Sequence, residues 1–151
     1  MKAITIARIG IIAALYFIIT YFLLPISFGA IQLRVAEGLT VLPILYPESI
    51  AGLFIGVLLC NALLGGLGLV DVVVGSLTTL VAAYISYRFR HSYIAYLSPI
   101  ILNAFIISLY LHLLAGLPYW LTVLSIGTSQ AIVVFAIGYP LIWYLRRYRE
   151  R

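Results

Sequence analysis

The sequence predicts an all-α integral membrane protein of six transmembrane helices, one domain over residues 1–151, with both termini cytoplasmic. Three observations lead there. The chain is 65% hydrophobic and 9% charged, against roughly 45–50% and about 25% in an ordinary soluble domain. Its apolar runs are long and continuous, without the dyad alternation of barrel strands. Its Lys and Arg residues collect in every second connection, the signature of cytoplasmic loops.

The first helix is expected from about Ala3 to Leu24, long enough to cross a hydrocarbon core of about 30 Å. Lys2 and Arg8 at its start also fit a signal peptide ending at Ala30, but the run is long and the next segments are themselves membranous. Pro25 ends this helix. The second, from about Gln32 to Tyr46, is short and contains Pro43, so it should kink or span only part of the bilayer. Pro47-Glu48-Ser49 turns into a third helix, about Ile50 to Leu64. Gly65-Gly66-Leu67-Gly68 turns into a fourth, about Leu69 to Tyr87. After the basic loop Arg88-Phe89-Arg90-His91, the fifth covers about Tyr93 to Leu114. The sixth runs from Tyr119 to about Leu145 and leaves a basic tail, Arg146 to Arg151.

With six crossings, one side holds Lys2, Arg8, Arg88, Arg90, Arg146, Arg147, Arg149 and Arg151; the other holds only Arg34. Short-loop cations face the cytoplasm, so Arg34, Glu37, Asn61, Asp71, Tyr119 and Trp120 belong to the outer half, the two acids near its edge. Asn103 and Gln130 lie deeper, each about 15 Å into its helix at 1.5 Å per residue. Polar groups from five helices thus converge on an outer pocket. Bland readings exist for several: Tyr119 and Trp120 as an interfacial belt, Arg34 as a loop cation, and Asn61, Asn103 and Gln130 as interhelical bonds. Glu37 and Asp71 resist them, because an unpaired acid facing lipid is costly. Arg34 and Glu37, three residues apart, share a helix face and could pair or flank a ligand together.

Ala3, Ala7, Gly10 and Ala14 form a narrow small-residue stripe on the first helix, fit for bundle packing or for an external helix. Gly52 and Gly56 repeat the device on the third, and Asp71, Gly75, Thr78 and Ala82 on the fourth. Enzymatic signatures are missing: Lys2 is the only lysine, so no P-loop exists, and Cys60 with two distant histidines makes a poor metal set.

The runs from Gln32-Leu33-Arg34-Val35-Ala36-Glu37-Gly38 to Pro43, Gly52 to Gly56, and Leu69-Val70-Asp71 to Leu80 resemble the QueT-type queuosine-precursor transporters. Pro118 to Thr122 and Gly138 to Leu141 extend the likeness over nearly the whole chain. Ser129-Gln130 departs from it, since members tend to have Gly-Glu there. The resemblance implies a substrate-binding S component of an energy-coupling factor (ECF) importer. Its substrate would be a 7-deazaguanine, such as the 7-cyano or 7-aminomethyl form, or queuine. It further implies a transmembrane coupling subunit docking on small residues of the first helix, and two ATPase subunits that use ATP, none of it bound by this chain. A stand-alone secondary carrier or channel for a small polar solute is the competing reading, as is an S component for another vitamin-like substrate.

Overall fold

The computed structural model describes residues 2–28 and 32–149. Every regular element among them is helical. α1 covers Ala3–Phe22, and a single turn, α2, covers Leu24–Ser27 with Pro25 in its first turn. A 3₁₀ segment, Val35–Ile44, precedes α3, Ser49–Leu63. A π turn, Asp71–Gly75, leads into α4, Ser76–Arg88. α5 is Ile94–Ala115, carrying a π turn at Asn103–Ile107, and α6 is Tyr119–Arg149, carrying another at Val134–Gly138. Among the described residues α1, α5 and α6 are the helices long and apolar enough to cross a membrane.

The amphipathy runs opposite to that of a soluble protein. Ile4, Ile11, Leu69, Leu113, Leu121 and Leu124 lie on the exterior. Glu37, Asn61, Asp71, Asn103 and Gln130 are each no more than 2% exposed. With lipid outside, apolar surface needs no burial and polar groups must find partners within the bundle.

At the centre lies the 3₁₀ segment, buried from Ala36 to Ile44 except for half-buried Leu39, and touched by α1, α3, α4, α5 and α6. An α-helix was expected here. Pro43 offers no N–H and its ring crowds the preceding turn of an α-helix. At about 2.0 Å per residue, against 1.5 Å, the tighter winding also carries ten residues about 5 Å further. A close backbone crossing holds the segment in place. A Cβ on Gly138 would sit 3.0 Å from the Gly38 carbonyl oxygen and 2.9 Å from Val41 Cγ2.

α1 packs on α3 through α3's glycines. A Cβ at Gly52 would come within 2.9 Å of the Ile9 oxygen, and one at Gly56 within 2.9 Å of Tyr16 Cβ. The opposite face of α1 carries Ala3, Ala7, Gly10 and Ala14, all exposed, and a Cβ on Gly10 would meet nothing within 4 Å. Among the described residues the small-residue stripe is therefore left exposed, away from the α3 contact.

One end of the bundle is strongly basic. Arg8 Nη1 donates to Glu48 Oε1 at 2.6 Å, and this bond holds the Glu48 carboxyl below the usual carboxylate range. Arg149 Nη1 donates to the Leu45 oxygen at 3.2 Å. Arg146 to Arg149, expected as a tail, continue α6 as regular helix. The start of α1, the 45–48 turn, the 88–91 loop and the end of α6 thus gather on one side.

The two glycine environments make opposite demands. Gly52→Val should lower the unfolding midpoint in detergent, since overpacking costs about 1–3 kcal/mol. Gly10→Val should leave it unchanged. Equal midpoints for the two variants would contradict this α1–α3 packing.

Candidate functional site

The buried 3₁₀ segment brings Glu37 into the interior. Tyr16 OH donates to Oε1 at 2.5 Å, and Asn103 Nδ2 donates to Oε2 at 3.3 Å. Tyr16 lies about 20 Å along α1 from Ala3, and Asn103 begins the π turn near the middle of α5. Glu37 is therefore at mid-depth, level with the amides, and the expectation that both acids are peripheral is corrected on this point. The stretched winding of the segment and its two partners account for the difference.

Asp71 occupies the other position. It opens a π turn, which re-aims side chains relative to a regular helix and recurs at functional sites. Tyr110 OH donates to its Oδ1 at 2.7 Å, and Asn61 Nδ2 to its main-chain oxygen at 2.9 Å. A Cβ on Gly65 would lie 2.7 Å from Asp71 Oδ2, so only glycine lets the 65–68 turn pass over the carboxylate. Asp71 lines a cavity of about 220 Å³ with Phe28, Gln32, Leu67, Leu111 and Leu117, at the end of the bundle opposite the arginines.

Arg34 bridges the two regions. Its guanidinium lies 4.8 Å from the Phe28 ring centroid, with Tyr16, Tyr110, Glu37 and Asp71 as its electrostatic neighbours. It forms no ion pair with Glu37; Arg8–Glu48 is the pair seen among the described residues. Although Arg34 is only 4% exposed, its Nε and Nη2 have no hydrogen-bond partner among the described residues. The same holds for Gln32 Oε1, Asn61 Oδ1, Asn103 Oδ1 and Gln130 Oε1. Gln130 is on α6 one turn beyond Gly127, which packs against Ala104 of the α5 π turn. Each buried group left unpaired costs about 1–3 kcal/mol. Native proteins hold few such groups; of those here, Asn61 and Asn103 bond Asp71 and Glu37 and Arg34 is an electrostatic neighbour of both, while Ser76 Oγ and Ser108 Oγ are likewise unpaired among the described residues.

The structure thus brings Arg34, Glu37, Asn61, Asp71 and Asn103 into one network, with Gln130 on its flank. Tyr119 and Trp120 stay outside it. Tyr119 OH donates to the Phe105 oxygen at 3.4 Å, and the Trp120 side chain is 69% exposed on the exterior, edge-on to Tyr119. His112 bonds the Leu117 oxygen through Nδ1 at 2.6 Å, at the left-handed Gly116 cap. Three members escaped the sequence reading: Phe28, Tyr16 and Tyr110. A tyrosine inside an apolar helix is the one signal that could have found the last two, since its hydroxyl needs a buried partner.

A helical membrane protein with buried, incompletely paired polar groups beside a small cavity has the construction of a solute-handling protein. The chain belongs to the QueT transporter family, whose model matches residues 6–147. No curated protein and no solved structure gives a match. The membership makes the chain a membrane transport protein and implies a non-enzymatic role.

The Glu37 contacts predict a separable structural effect. Tyr16→Phe removes a donor from a carboxylate that is 0% exposed, which should cost about 1–3 kcal/mol. Thermal unfolding in detergent without ligand measures it. An unchanged midpoint would show that the Tyr16 bond does not hold the segment.

Proposed function

We propose that this chain is the substrate-binding S component of an ECF-type importer and captures a queuosine precursor at the outer membrane face. The supporting observation is the Asp71 cavity with its unpaired neighbours. A 7-deazaguanine presents a ring N–H beside an exocyclic amine, two donors that one carboxylate accepts together. It also presents a carbonyl that needs a donor and a flat ring that needs an apolar or aromatic wall. Asp71 supplies the carboxylate, Gln32 a polar complement, and Phe28 with Leu111 and Leu117 the wall, with the Arg34 guanidinium set against the Phe28 ring. The sequence favours Glu37 for the guanine edge by a narrow margin. In the structure both Glu37 oxygens already accept bonds, whereas Asp71 faces the cavity. The edge is therefore assigned to Asp71 and the stacking surface to Phe28, because Trp120, the aromatic residue the sequence favours for stacking, is exposed on the exterior.

In this reading the bundle crosses the cell membrane six times, with the basic end in the cytoplasm, as the bias of Lys and Arg requires. The exposed stripe Ala3, Ala7, Gly10 and Ala14 receives a helix of the coupling subunit, because small residues let backbones approach closely. Two ATPase subunits supply the energy. One observation favours a second reading: a carboxylate at mid-depth, as in Glu37, is a feature of ion-coupled carriers. Uptake into vesicles holding this chain alone, driven by an ion gradient, would decide for the carrier.

Titrating 7-cyano-7-deazaguanine into purified protein tests the site. Asp71→Asn should weaken binding more than about tenfold, that is, by over about 1.4 kcal/mol. Glu37→Gln should have a smaller effect, and Trp120→Ala none. Unchanged affinity in both acid variants would mean the acids are structural.

Docking and orientation are tested in cells. Ala7→Trp should abolish uptake while the purified variant still binds substrate; intact uptake would free the stripe of a docking role. With Cys60→Ser as background, an impermeant thiol reagent should label Gly68→Cys and spare Ser92→Cys. The reverse labelling would invert the topology.

A further inference from the structure

At the basic end, residues far apart in sequence line two adjoining clefts. The first, of about 630 Å³, is bordered by Arg90 and His91 from the 88–91 loop, Arg146 and Arg149 from α6, and Leu45 at the exit of the 3₁₀ segment. The second, of about 320 Å³, shares Arg90, His91 and Arg146 and adds Tyr93, Tyr96 and Tyr139. It lies between the start of α5 and the later part of α6, where Tyr96 packs 5.6 Å from Tyr139 and 6.4 Å from Phe135. Ile132 and Phe135 of α6, with Leu97 and Ile101 of α5, carry exposed apolar surface onward from it. No carboxylate borders either cleft among the described residues; Glu48, bound to Arg8, lies next door beside Arg149, and Glu150 lies outside the described residues.

We propose that these clefts hold the phosphate of an anionic phospholipid, with its acyl chains along the α5–α6 surface. Guanidinium groups match phosphate oxygens in geometry as well as charge. Basic clefts between membrane helices at the cytoplasmic level bind acidic headgroups. Tyrosine suits the position, with its ring beside the chains and its hydroxyl at the wet boundary. A free phosphate would satisfy the arginines equally; the adjoining aromatic and aliphatic wall favours the lipid. The site is convergent: Arg90 and Arg146 come from different elements, and Arg149 is tied to the Leu45 oxygen at 3.2 Å. Arg147, on the same helix, lies instead by Trp143, its guanidinium 5.7 Å from the ring.

Native mass spectrometry of the full-length protein, titrated with phosphatidylglycerol and with phosphatidylcholine of identical chains, tests this. The wild type should prefer phosphatidylglycerol. Arg90→Gln and Arg146→Gln should each reduce that preference about fivefold, the effect of one arginine near an anionic headgroup. Arg146→Lys should retain most of it, and Arg147→Gln should leave it unchanged. A misfolded variant would lose both lipids together, so the ratio of the two affinities is the quantity compared. No preference in the wild type, or an equal loss in Arg147→Gln, would reduce the site to diffuse charge and overturn the proposal. Displacement of phosphatidylglycerol by millimolar inorganic phosphate would overturn the lipid assignment in favour of a soluble anion.

Discussion

The bond between Tyr16 and Glu37 ties the centre of this protein to its wall. A carboxylate with no exposure, inside a bundle surrounded by apolar surface, is tolerable only with partners on hand. Tyr16 on α1 and Asn103 on α5 provide them from two sides of the 3₁₀ segment. The segment's own backbone cannot supply this anchorage, since 3₁₀ bonding is poorer in geometry than α and such runs are usually short. The Tyr16 and Asn103 bonds, together with the Gly38–Gly138 crossing, fix its depth, and its depth sets where Arg34 lies.

The network divides labour between its two acids. Glu37 has a donor on each oxygen and lines none of the cavities described; Asp71 has a donor on one and looks into a cavity. Glycine makes the second environment possible, because the 65–68 turn passes within a methyl group's reach of Oδ2. One acid serves cohesion and the other stays available. Their sequence contexts, each an acid among apolar residues, do not distinguish them.

Much of the architecture was legible beforehand because it follows from composition and punctuation. Pro25, Pro47, the glycine turn at 65–68 and Pro118 mark helix limits that the structure places within a few residues. Helix count alone put Arg34, Glu37, Asn61, Asp71 and Asn103 on neighbouring helices, while the depth expected for Glu37 was too shallow. Three things were not readable. The 3₁₀ winding depends on the bundle enclosing it, which no local propensity reports. The π turns at Asp71 and Asn103 shift the facing of side chains after them without any special residue. Trp120 turned outward because an aromatic residue opening a helix fits a lipid boundary as readily as a pocket, and spacing alone cannot choose.

The crossing of Gly38 and Gly138 bears on how this molecule would answer systematic mutagenesis. At most positions alanine deletes atoms, and a loss of function reports a lost contact. Here the Gly138 backbone lies directly against the Gly38 backbone and the Val41 side chain, and alanine at Gly138 is an insertion that meets Val41 Cγ2 at 2.9 Å and the Gly38 oxygen at 3.0 Å. A map built by truncation would score the position as intolerant yet find no group responsible. The information held at such sites is the absence of a side chain, and it is visible only to substitutions graded upward in size.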